Sequence, residues 1–251
     1  MPSHPLKKNI KIIFDFDYTL SREFMENPIL RMRGIDPQSF WDKVVALEDA
    51  NKGDETTFLS YFIHLMHTDK LKGLTKDELK KSGKKVLLSP GVPDFFENLR
   101  DKFMLYPVEL EFHVVSSGFK EVIEGTRVSP HLSSVYATRF CDTLTKGDKI
   151  DSFIEIVLSA KKVDRIRELC GSGDFSNVIY IGDGQSDIPS FKFVKNRKGL
   201  AVKVFAPKQA GSVGSTQLLK DGIIDHAVSA DFREGSALFS VIEEFVMKKV
   251  A

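Results

Sequence analysis

Three groups of polar residues directly follow short apolar runs in this chain. Asp15 and Asp17 follow the run KIIF, residues 116–118 (Ser-Ser-Gly) follow FHVV, and Asp183 and Asp187 follow VIYI. If these runs are strands of an open parallel sheet, their carboxyl ends share one edge, where ligands bind in such folds. Each group taken singly could be an ordinary turn, but turns alone leave the shared pattern unexplained. The sequence therefore predicts one crevice that gathers all three groups.

The four carboxylates of this crevice imply a bound cation. Asp15, Asp17, Asp183 and Asp187 would each raise the pKa of the others if no positive charge lay among them. The sequence has no cluster of His and Cys of the kind that holds zinc. Magnesium binds through oxygen ligands and leaves coordination positions for water and a phosphate. We therefore expect a magnesium cofactor and a phosphorylated substrate.

The elements that must position these groups have the pattern of an α/β protein. Four apolar runs, at 11–14, 112–115, 178–181 and 201–205, are mostly continuous, which is typical of strands buried on both faces of a parallel sheet. Helical patterns at 93–102 and 162–170 lie between them. The alternation predicts a doubly wound, Rossmann-like parallel sheet.

A long segment separates the first two predicted strands and has helical rather than strand patterns. Within it, Thr75 and Glu78 have the spacing of a helix capping box. We predict a helical cap over residues 21–88 and an α/β core over 1–20 and 89–251. If the cap helices face the crevice, Phe24, Tyr61, Phe62 and His64 would meet the substrate. The sequence AGSVGS at 210–215 predicts a surface loop.

Composition excludes several classes of function. The 251 residues include 36 Lys and Arg against 35 Asp and Glu, a net charge of +1. The chain therefore lacks the excess of positive charge that is typical of nucleic-acid-binding proteins. Its apolar runs are far shorter than the ~20 residues that span a bilayer. The apolar run near residue 1 is too short to be the hydrophobic core of a signal peptide. The two cysteines form no CxxC motif. We expect a cytoplasmic protein whose partner is a small molecule, with neither nucleic acid nor membrane involved.

Three motifs resemble those of a known family. DFDYT at 15–19, VVSSGF at 114–119 and GDGQSD at 182–187 are similar to motifs I, II and IV of the haloacid dehalogenase superfamily, in its phosphoserine-phosphatase-like branch. The resemblance covers nearly the whole predicted core and places the inserted segment at the position of that branch's cap. It implies a Rossmann-like core and hydrolase chemistry on phosphate esters.

The resemblance also implies roles for the first and last motifs. Asp15 would be the nucleophile and Asp17 the general acid and base, with Thr19 supporting the phosphate-binding loop. The metal would be held by the Asp15 carboxylate, the Asp17 backbone carbonyl and the Asp183 carboxylate. Asp187 would lie at the metal or just behind its ligands.

The middle motif and a basic residue would bind the phosphoryl group. The resemblance implies that the Ser116 hydroxyl and the N–H groups around Ser117 and Gly118 contact the phosphoryl oxygens. The family also places a lysine at the start of the helix before motif IV, where Lys161 and Lys162 are both candidates. We favour Lys162, because apolar residues follow it at the four- and seven-residue offsets of a buried helical face.

The function predicted from these residues is magnesium-dependent hydrolysis of a small phosphomonoester through an aspartyl phosphate. The carboxylate at Asp17 favours a phosphatase over a dehalogenase, which lacks one there. A phosphomutase of the same superfamily and a noncatalytic phosphometabolite-binding protein are the alternatives. Phosphoserine is disfavoured, because Phe24 stands where that branch has a substrate-binding glutamate and residues 58–67 contain no arginine. Glu23 and Glu26 are either binding groups for a cationic substrate or solvated helix charges.

Overall fold

The computed structural model describes residues 7–68, 70–141, 150, 152–171, 173–206 and 213–250. The strands of this part of the chain are β1 Lys8–Phe14, β2 Val108–Phe119, β3 Ser134–Phe140, β4 Phe153–Glu155, β5 Val178–Gly182, β6 Leu200–Phe205 and β7 His226–Ser229. Its α-helices are α1 Asn27–Met32, α2 Pro37–Ala50, α3 Thr57–Thr68, α4 Lys76–Gly83, α5 Val92–Lys102, α6 Lys120–Gly125, α7 Ser159–Cys170, α8 Ile188–Lys195, α9 Val213–Lys220 and α10 Ala237–Val250.

The strands form one sheet in the order β4-β3-β2-β1-β5-β6-β7. All neighbouring pairs are parallel except β3 and β4, which are antiparallel. From β1 the chain passes to β2 on one side and later to β5 on the other, so the strand order reverses beside β1. In open α/β sheets ligands bind at such a reversal, outside the carboxyl ends of the strands. The predicted doubly wound sheet is confirmed.

The central strand is buried on both faces, as its apolar run predicts. Ile12 and Phe14 point to one side, where they pack with Phe95 and other aromatic residues. Ile13 points to the other side and packs in a second cluster with Tyr180. Because side chains alternate along a strand, an uninterrupted apolar run supplies both clusters at once.

The four predicted strands are present, and three others were not predicted. β3, β4 and β7 lie toward the edges of the sheet, where half-buried and exposed residues interrupt the apolar pattern. The prediction that the second strand ends before Ser116 was wrong, since β2 continues to Phe119. The predicted loop at 210–215 is partly wrong: residues 210–212 lie outside the described residues, but α9 already begins at Val213.

The segment between β1 and α5 is helical, with α1 to α4 in order. The predicted capping box of α4 is confirmed, because Thr75 and Glu78 each bond the other's backbone N–H. An isolated bridge pairs Ser21 with Leu88, at the two ends of the predicted cap. The division into a core of 1–20 and 89–251 and a cap of 21–88 remains a prediction. In the described part of the chain, no helix has the length and apolarity needed to cross a bilayer.

Helix α4 packs closely on α6 through a pair of glycines. A Cβ atom added to Gly125 would lie 2.0 Å from the Lys80 carbonyl oxygen, and one added to Gly83 would lie 2.2 Å from the Val122 carbonyl oxygen. Both contacts are with backbone, which cannot move aside as a side chain can. The absence of a side chain at both positions therefore fixes how closely the inserted segment approaches the core.

We expect Gly125→Ala to lower the free energy of unfolding by about 1–3 kcal/mol, the usual cost of an overpacked contact. Gly214→Ala is the matched control, because that glycine is also helical and has open space around its Cα. Urea unfolding followed by circular dichroism measures both. Equal midpoints for the two variants would contradict the proposed steric role of Gly125.

Candidate active site

Asp15 lies directly after the central strand, where the backbone holds it firmly. Its N–H donates to the Ile181 carbonyl at 2.8 Å, which extends the ladder between β1 and β5 by one residue. Its carboxylate Oδ1 accepts a hydrogen bond from the Phe16 N–H at 2.7 Å. The chain then turns sharply, and Tyr18 takes a φ of 54°, a conformation that costs a non-glycine residue energy and is often found at functional sites.

Lys162 joins two of the carboxylates from the first turn of α7. Its Nζ atom lies 2.9 Å from Asp15 Oδ2 and 2.8 Å from Asp187 Oδ1, and the side chain is fully buried. The two carboxylates raise the pKa of Lys162 despite its burial, so the ammonium form persists. Lys161 is exposed. Of the two candidate lysines, Lys162 is therefore the one that reaches Asp15.

The carboxylate of Asp187 is fully occupied by donors from the protein. Oδ1 accepts from Lys162 and, at 2.6 Å, from the Tyr180 hydroxyl. Oδ2 accepts from the backbone N–H groups of Asp183 and Gly184, each at 3.1 Å. The pKa of Asp187 is lowered because these donors and the Lys162 charge outweigh the effect of burial. The arrangement fits a residue that positions Lys162 and the 183–184 turn.

Asp183 faces Asp15 across the end of the sheet. One carboxylate oxygen from each of Asp15, Asp183 and Asp187 lies within 4.8 Å of the others. The Asp183 backbone carbonyl accepts a hydrogen bond from Lys203. Burial, followed by the charges of Asp15 and Asp187, raises the pKa of Asp183 to about 8. Such a cluster is electrostatically incomplete without more positive charge.

Asp17 lines the same crevice but lies outside that group of three. Its Oδ1 accepts a hydrogen bond from the Met25 N–H at 2.8 Å. Burial, then the charges of Glu26 and Asp15, raises its pKa well above the ordinary value for an aspartate. Burial also raises the pKa of Asp15, to about 6, although Lys162 opposes the shift. The two aspartates thus have distinct surroundings despite being two residues apart.

The residues after Ser116 leave the regular ladder of β2. Ser116 pairs with Ala137 and Phe119 with Thr138, so Ser117 and Gly118 form a bulge between them. The Gly118 N–H donates to the Ser116 hydroxyl at 3.1 Å. A Cβ at Gly118 would lie 2.2 Å from Met25 Cε, so a side chain there would require the Met25 side chain to shift. The bulge turns these residues toward the crevice.

A cavity of about 500 Å³ opens above these groups. The core lines it with Asp15, Asp17, Ser116, Ser117, Gly118, Lys162, Asp183, Gly184 and Ser186, and the segment after β1 with Tyr18, Phe24, Glu26, Trp41, Val44, Val45, Glu48 and Phe58. Thr19 is fully buried and does not line the cavity, and Asp187 lies behind Lys162. The structure therefore brings together the predicted site residues, with Thr19 beneath the loop.

The hypothesis about which inserted residues meet a substrate was mostly wrong. Phe24 lines the cavity, but Tyr61 and His64 line a separate cavity and Phe62 is buried in the core. The reason is helix rotation: α3 directs Phe58 toward the crevice, and its following turns pack elsewhere. Helix α2 supplies the remaining wall, including Trp41, which the sequence analysis had not assigned to the site.

Sequence reasoning also missed two residues that support the carboxylates. Tyr180 lies in the buried run VIYI. Nothing in the sequence distinguishes a tyrosine that donates a hydrogen bond there from one that only packs in the core. Lys203 could have been identified from the sequence, because it is the one charged residue in the apolar strand LAVKVF. In the structure it is largely buried. A buried charged residue is rare without a partner, and here the partner is the Asp183 carbonyl.

Comparison with known proteins places the fold. No family model matches the chain. A protein of Borreliella burgdorferi described as uncharacterized is 23% identical over 278 residues, covering 96% of this chain and 98% of the relative. A haloacid dehalogenase family hydrolase from Salmonella enterica serovar Typhi has a TM-score of 0.65 at 19% identity, covering 90% of this chain and 70% of its own.

Two phosphoserine phosphatase structures are also similar. An apo form has a TM-score of 0.62 at 19% identity and covers 94% of this chain and 98% of its own. A phospho-aspartyl intermediate analogue has a TM-score of 0.60 at 18% identity and covers 95% of this chain and 99% of its own. The chain therefore has the fold of haloacid dehalogenase hydrolases, in the form seen in phosphoserine phosphatases. The fold implied by the three motifs is confirmed.

We expect Lys162→Met to lower the free energy of unfolding by about 3 kcal/mol or more, because removing one partner of a buried ion pair leaves uncompensated charge. Lys161→Met, one residue earlier and exposed, should change it by less than about 0.5 kcal/mol. Chemical denaturation in a chelator-containing buffer measures both. Equal stability of the two variants would show that Lys162 does not neutralise the carboxylates.

Proposed function

We propose that this chain is a magnesium-dependent phosphatase that hydrolyses a small cytoplasmic phosphomonoester through an aspartyl phosphate on Asp15. The observation that carries this proposal is the placement of Asp15 at the end of the central strand, in contact with Lys162, facing Asp183 and beside Asp17, at the base of one cavity. The fold shared with haloacid dehalogenase hydrolases supports it.

The donor set fits magnesium. The cluster of Asp15, Asp183 and Asp187 offers only carboxylate oxygens, the ligand type that magnesium prefers. The carboxylates of Asp15 and Asp183 and the backbone carbonyl of Asp17 would hold the ion, while Asp187 is occupied by its protein donors. Bound there, magnesium would neutralise the carboxylates and the substrate phosphate, so that one anion can approach the other.

In the first step, an Asp15 carboxylate oxygen attacks phosphorus and the bond to the ester oxygen breaks. Asp17, whose raised pKa favours its protonated form, gives its proton to the departing oxygen. In the second step, Asp17 takes a proton from water as the water attacks phosphorus, and the bond to Asp15 breaks. Free alcohol and inorganic phosphate are the products, and both aspartates return to their starting states.

The remaining groups bind and orient the phosphoryl group. Ser116, Ser117 and Gly118 line the cavity on the strand next to β1, where the two serine hydroxyls can donate to phosphoryl oxygens while the Gly118 N–H orients the Ser116 hydroxyl. Lys162 fixes the Asp15 carboxylate and adds positive charge at the same place. Thr19 is buried behind this turn, and its backbone carbonyl accepts a hydrogen bond from the Ser89 hydroxyl at 2.9 Å. A solved structure of similar fold is described as a phospho-aspartyl intermediate analogue of a phosphoserine phosphatase, which supports an aspartyl phosphate as the intermediate proposed here.

Release of inorganic phosphate from a panel of sugar, amino-alcohol, nucleotide and cofactor phosphates, with and without magnesium, tests the proposal. We expect stoichiometric release of phosphate from at least one member, and none in the presence of a chelator. Transfer of phosphate to a second sugar without net release would identify a phosphomutase instead. An Asp15→Asn variant with full activity would refute the covalent route.

We expect Asp183→Asn to raise the magnesium concentration needed for half-maximal activity by at least about 10- to 100-fold, the range seen when even supporting residues are removed. Asp221→Asn, an exposed aspartate at the end of α9, is the control. A magnesium titration of phosphate release compares the two. An unchanged requirement in Asp183→Asn would exclude Asp183 as a ligand.

We expect Asp17→Asn to slow the chemical step by ~100-fold or more for an alkyl phosphate, whose leaving oxygen needs a proton. An aryl phosphate should still give a rapid burst of phenol, followed by slow turnover because water lacks its base. Rapid-mixing kinetics compare the two esters. Equal losses without a burst would assign Asp17 a positioning role.

A further inference from the structure

One side chain of the inserted segment hydrogen-bonds the helix that carries Lys162. Glu55 lies in the turn between α2 and α3, and its carboxylate contacts Ser159, the first residue of α7. The Ser159 hydroxyl lies 2.8 Å from Oε1 and 2.7 Å from Oε2, and the Ser159 N–H donates to Oε2 at 3.2 Å. Two polar groups of one core residue therefore meet a single carboxylate of the inserted segment.

The contact supplies a cap that α7 lacks in its own sequence. Leu158 precedes the helix, and its side chain accepts no hydrogen bond from the free N–H groups of the first turn. The Glu55 carboxylate accepts one of these bonds instead, and its negative charge is favourable at the start of a helix. The helix is thus capped by a residue 104 positions earlier in the chain.

The turn that carries Glu55 is shaped by its two neighbours. Asp54 Oδ1 accepts hydrogen bonds from the N–H and the hydroxyl of Thr56, both at 2.8 Å. Such a turn is typical of aspartate, whose side chain bonds the backbone two residues on. The backbone on both sides of Glu55 is therefore ordered by local bonds, which reduces the conformational entropy that the contact with Ser159 costs.

Each member of this contact lies about one helical turn before a residue that lines the cavity. Phe58 follows Glu55 by three residues, and Lys162 follows Ser159 by three residues. Phe58 belongs to the inserted side of the cavity, whereas Lys162 contacts Asp15 on the core side. The contact therefore joins the two sides of the cavity close to the groups proposed to react.

The inserted side of the cavity has an aromatic wall, formed by Phe24, Trp41 and Phe58. Phe24 stacks on Trp41 with ring centroids 3.9 Å apart, and Trp41 lies 6.1 Å from Phe58. Phe58 in turn stacks on Phe119 of β2 at 6.4 Å. Apolar packing is non-directional, so these rings do not by themselves fix one position of the wall. Hydrogen bonds to Ser159 have the directionality that does.

We infer that Glu55 is a positioning residue that fixes the aromatic wall relative to Asp15. Glu55 does not itself line the cavity, so it acts through the wall and through α7 without touching a substrate. Compounds whose leaving group reaches the wall depend on this contact, whereas compounds too small to reach it do not. The inference rests on the proposed function where it concerns hydrolysis, but the position of the wall can be measured without any reaction.

The first experiment measures the wall through Trp41, the single tryptophan of the chain. Acrylamide quenches the fluorescence of an exposed indole more strongly than that of a buried one. In Glu55→Ala the Stern–Volmer constant should rise about 1.5- to 2-fold, because loss of the contact allows local opening around the ring. Asp49→Ala, an exposed acid near the end of α2 that does not line the cavity, should leave it unchanged. An unchanged constant in Glu55→Ala would overturn the inference, whether or not the chain is a phosphatase.

The second experiment compares p-nitrophenyl phosphate, whose ring extends away from the phosphate, with acetyl phosphate, whose two-carbon group stays beside it. We expect Glu55→Ala to lower kcat/KM at least about 5-fold for the first, equivalent to roughly 1 kcal/mol, and less than about 2-fold for the second. Equal losses would mean that Glu55 acts on Lys162 instead of the wall, and would overturn the inference. If the parent hydrolyses no phosphorylated compound, the proposed function fails, while the fluorescence measurement still decides the role of Glu55.

A double-mutant cycle assigns the effect to the contact itself. Ser159→Ala removes the hydroxyl and should also raise the Stern–Volmer constant, but by no more than Glu55→Ala does. Adding Ser159→Ala to Glu55→Ala should cause no further change, because the partner is already absent. Additive changes would show that the two residues act separately, and would overturn the inference.

Thermal unfolding distinguishes positioning from a general loss of stability. Because Glu55 is exposed, the melting temperature of each variant should stay within about 4 °C of the parent value. A larger fall in Glu55→Ala would make the contact a structural one and would overturn the positioning role.

Discussion

The ion pairs of Lys162 are the constraint on which the candidate site depends. One buried ammonium contacts Asp15 after β1 and Asp187 before α8, so it ties three separate parts of the core together. Asp187 completes the arrangement by accepting hydrogen bonds from Tyr180 and from the turn that carries Asp183. Without this central charge, the aspartates that the sheet gathers would repel one another. The same contacts hold the Asp15 carboxylate in place and leave Asp183 facing it.

The inserted segment supplies a different kind of chemistry from the core. The core edge offers the groups that phosphoryl transfer requires, and these follow from the end of each strand. Residues after β1 add aromatic rings and the Glu26 carboxyl to the wall of the same cavity. Close packing of Gly83 and Gly125 sets the distance between the inserted segment and the core on which such a cavity depends.

Much of the core could be predicted from the sequence, because its central strands are mostly continuous apolar runs that are closely followed by Asp or Ser. Lys162 was predictable from helical periodicity, since a lysine that leads a buried face must itself be buried. The strands β3, β4 and β7, at or next to the edges of the sheet, were not predicted, because half-buried and exposed residues break their pattern. Which residues form the cavity wall depends on which faces of α2 and α3 turn toward the core. Local sequence patterns do not show this orientation. For that reason Trp41 was missed and Tyr61 was wrongly included.

The central claim is that Asp15 becomes covalently phosphorylated during turnover. The most direct test is to quench the enzyme with acid during hydrolysis of its best substrate, reduce it with borohydride and map the peptides by mass spectrometry. Borohydride converts an aspartyl phosphate to homoserine but leaves a free aspartate unchanged. The account predicts homoserine at position 15 alone, dependent on both substrate and magnesium. Phosphate release at the full rate with Asp15 unmodified, or with the modification at another residue, would contradict it.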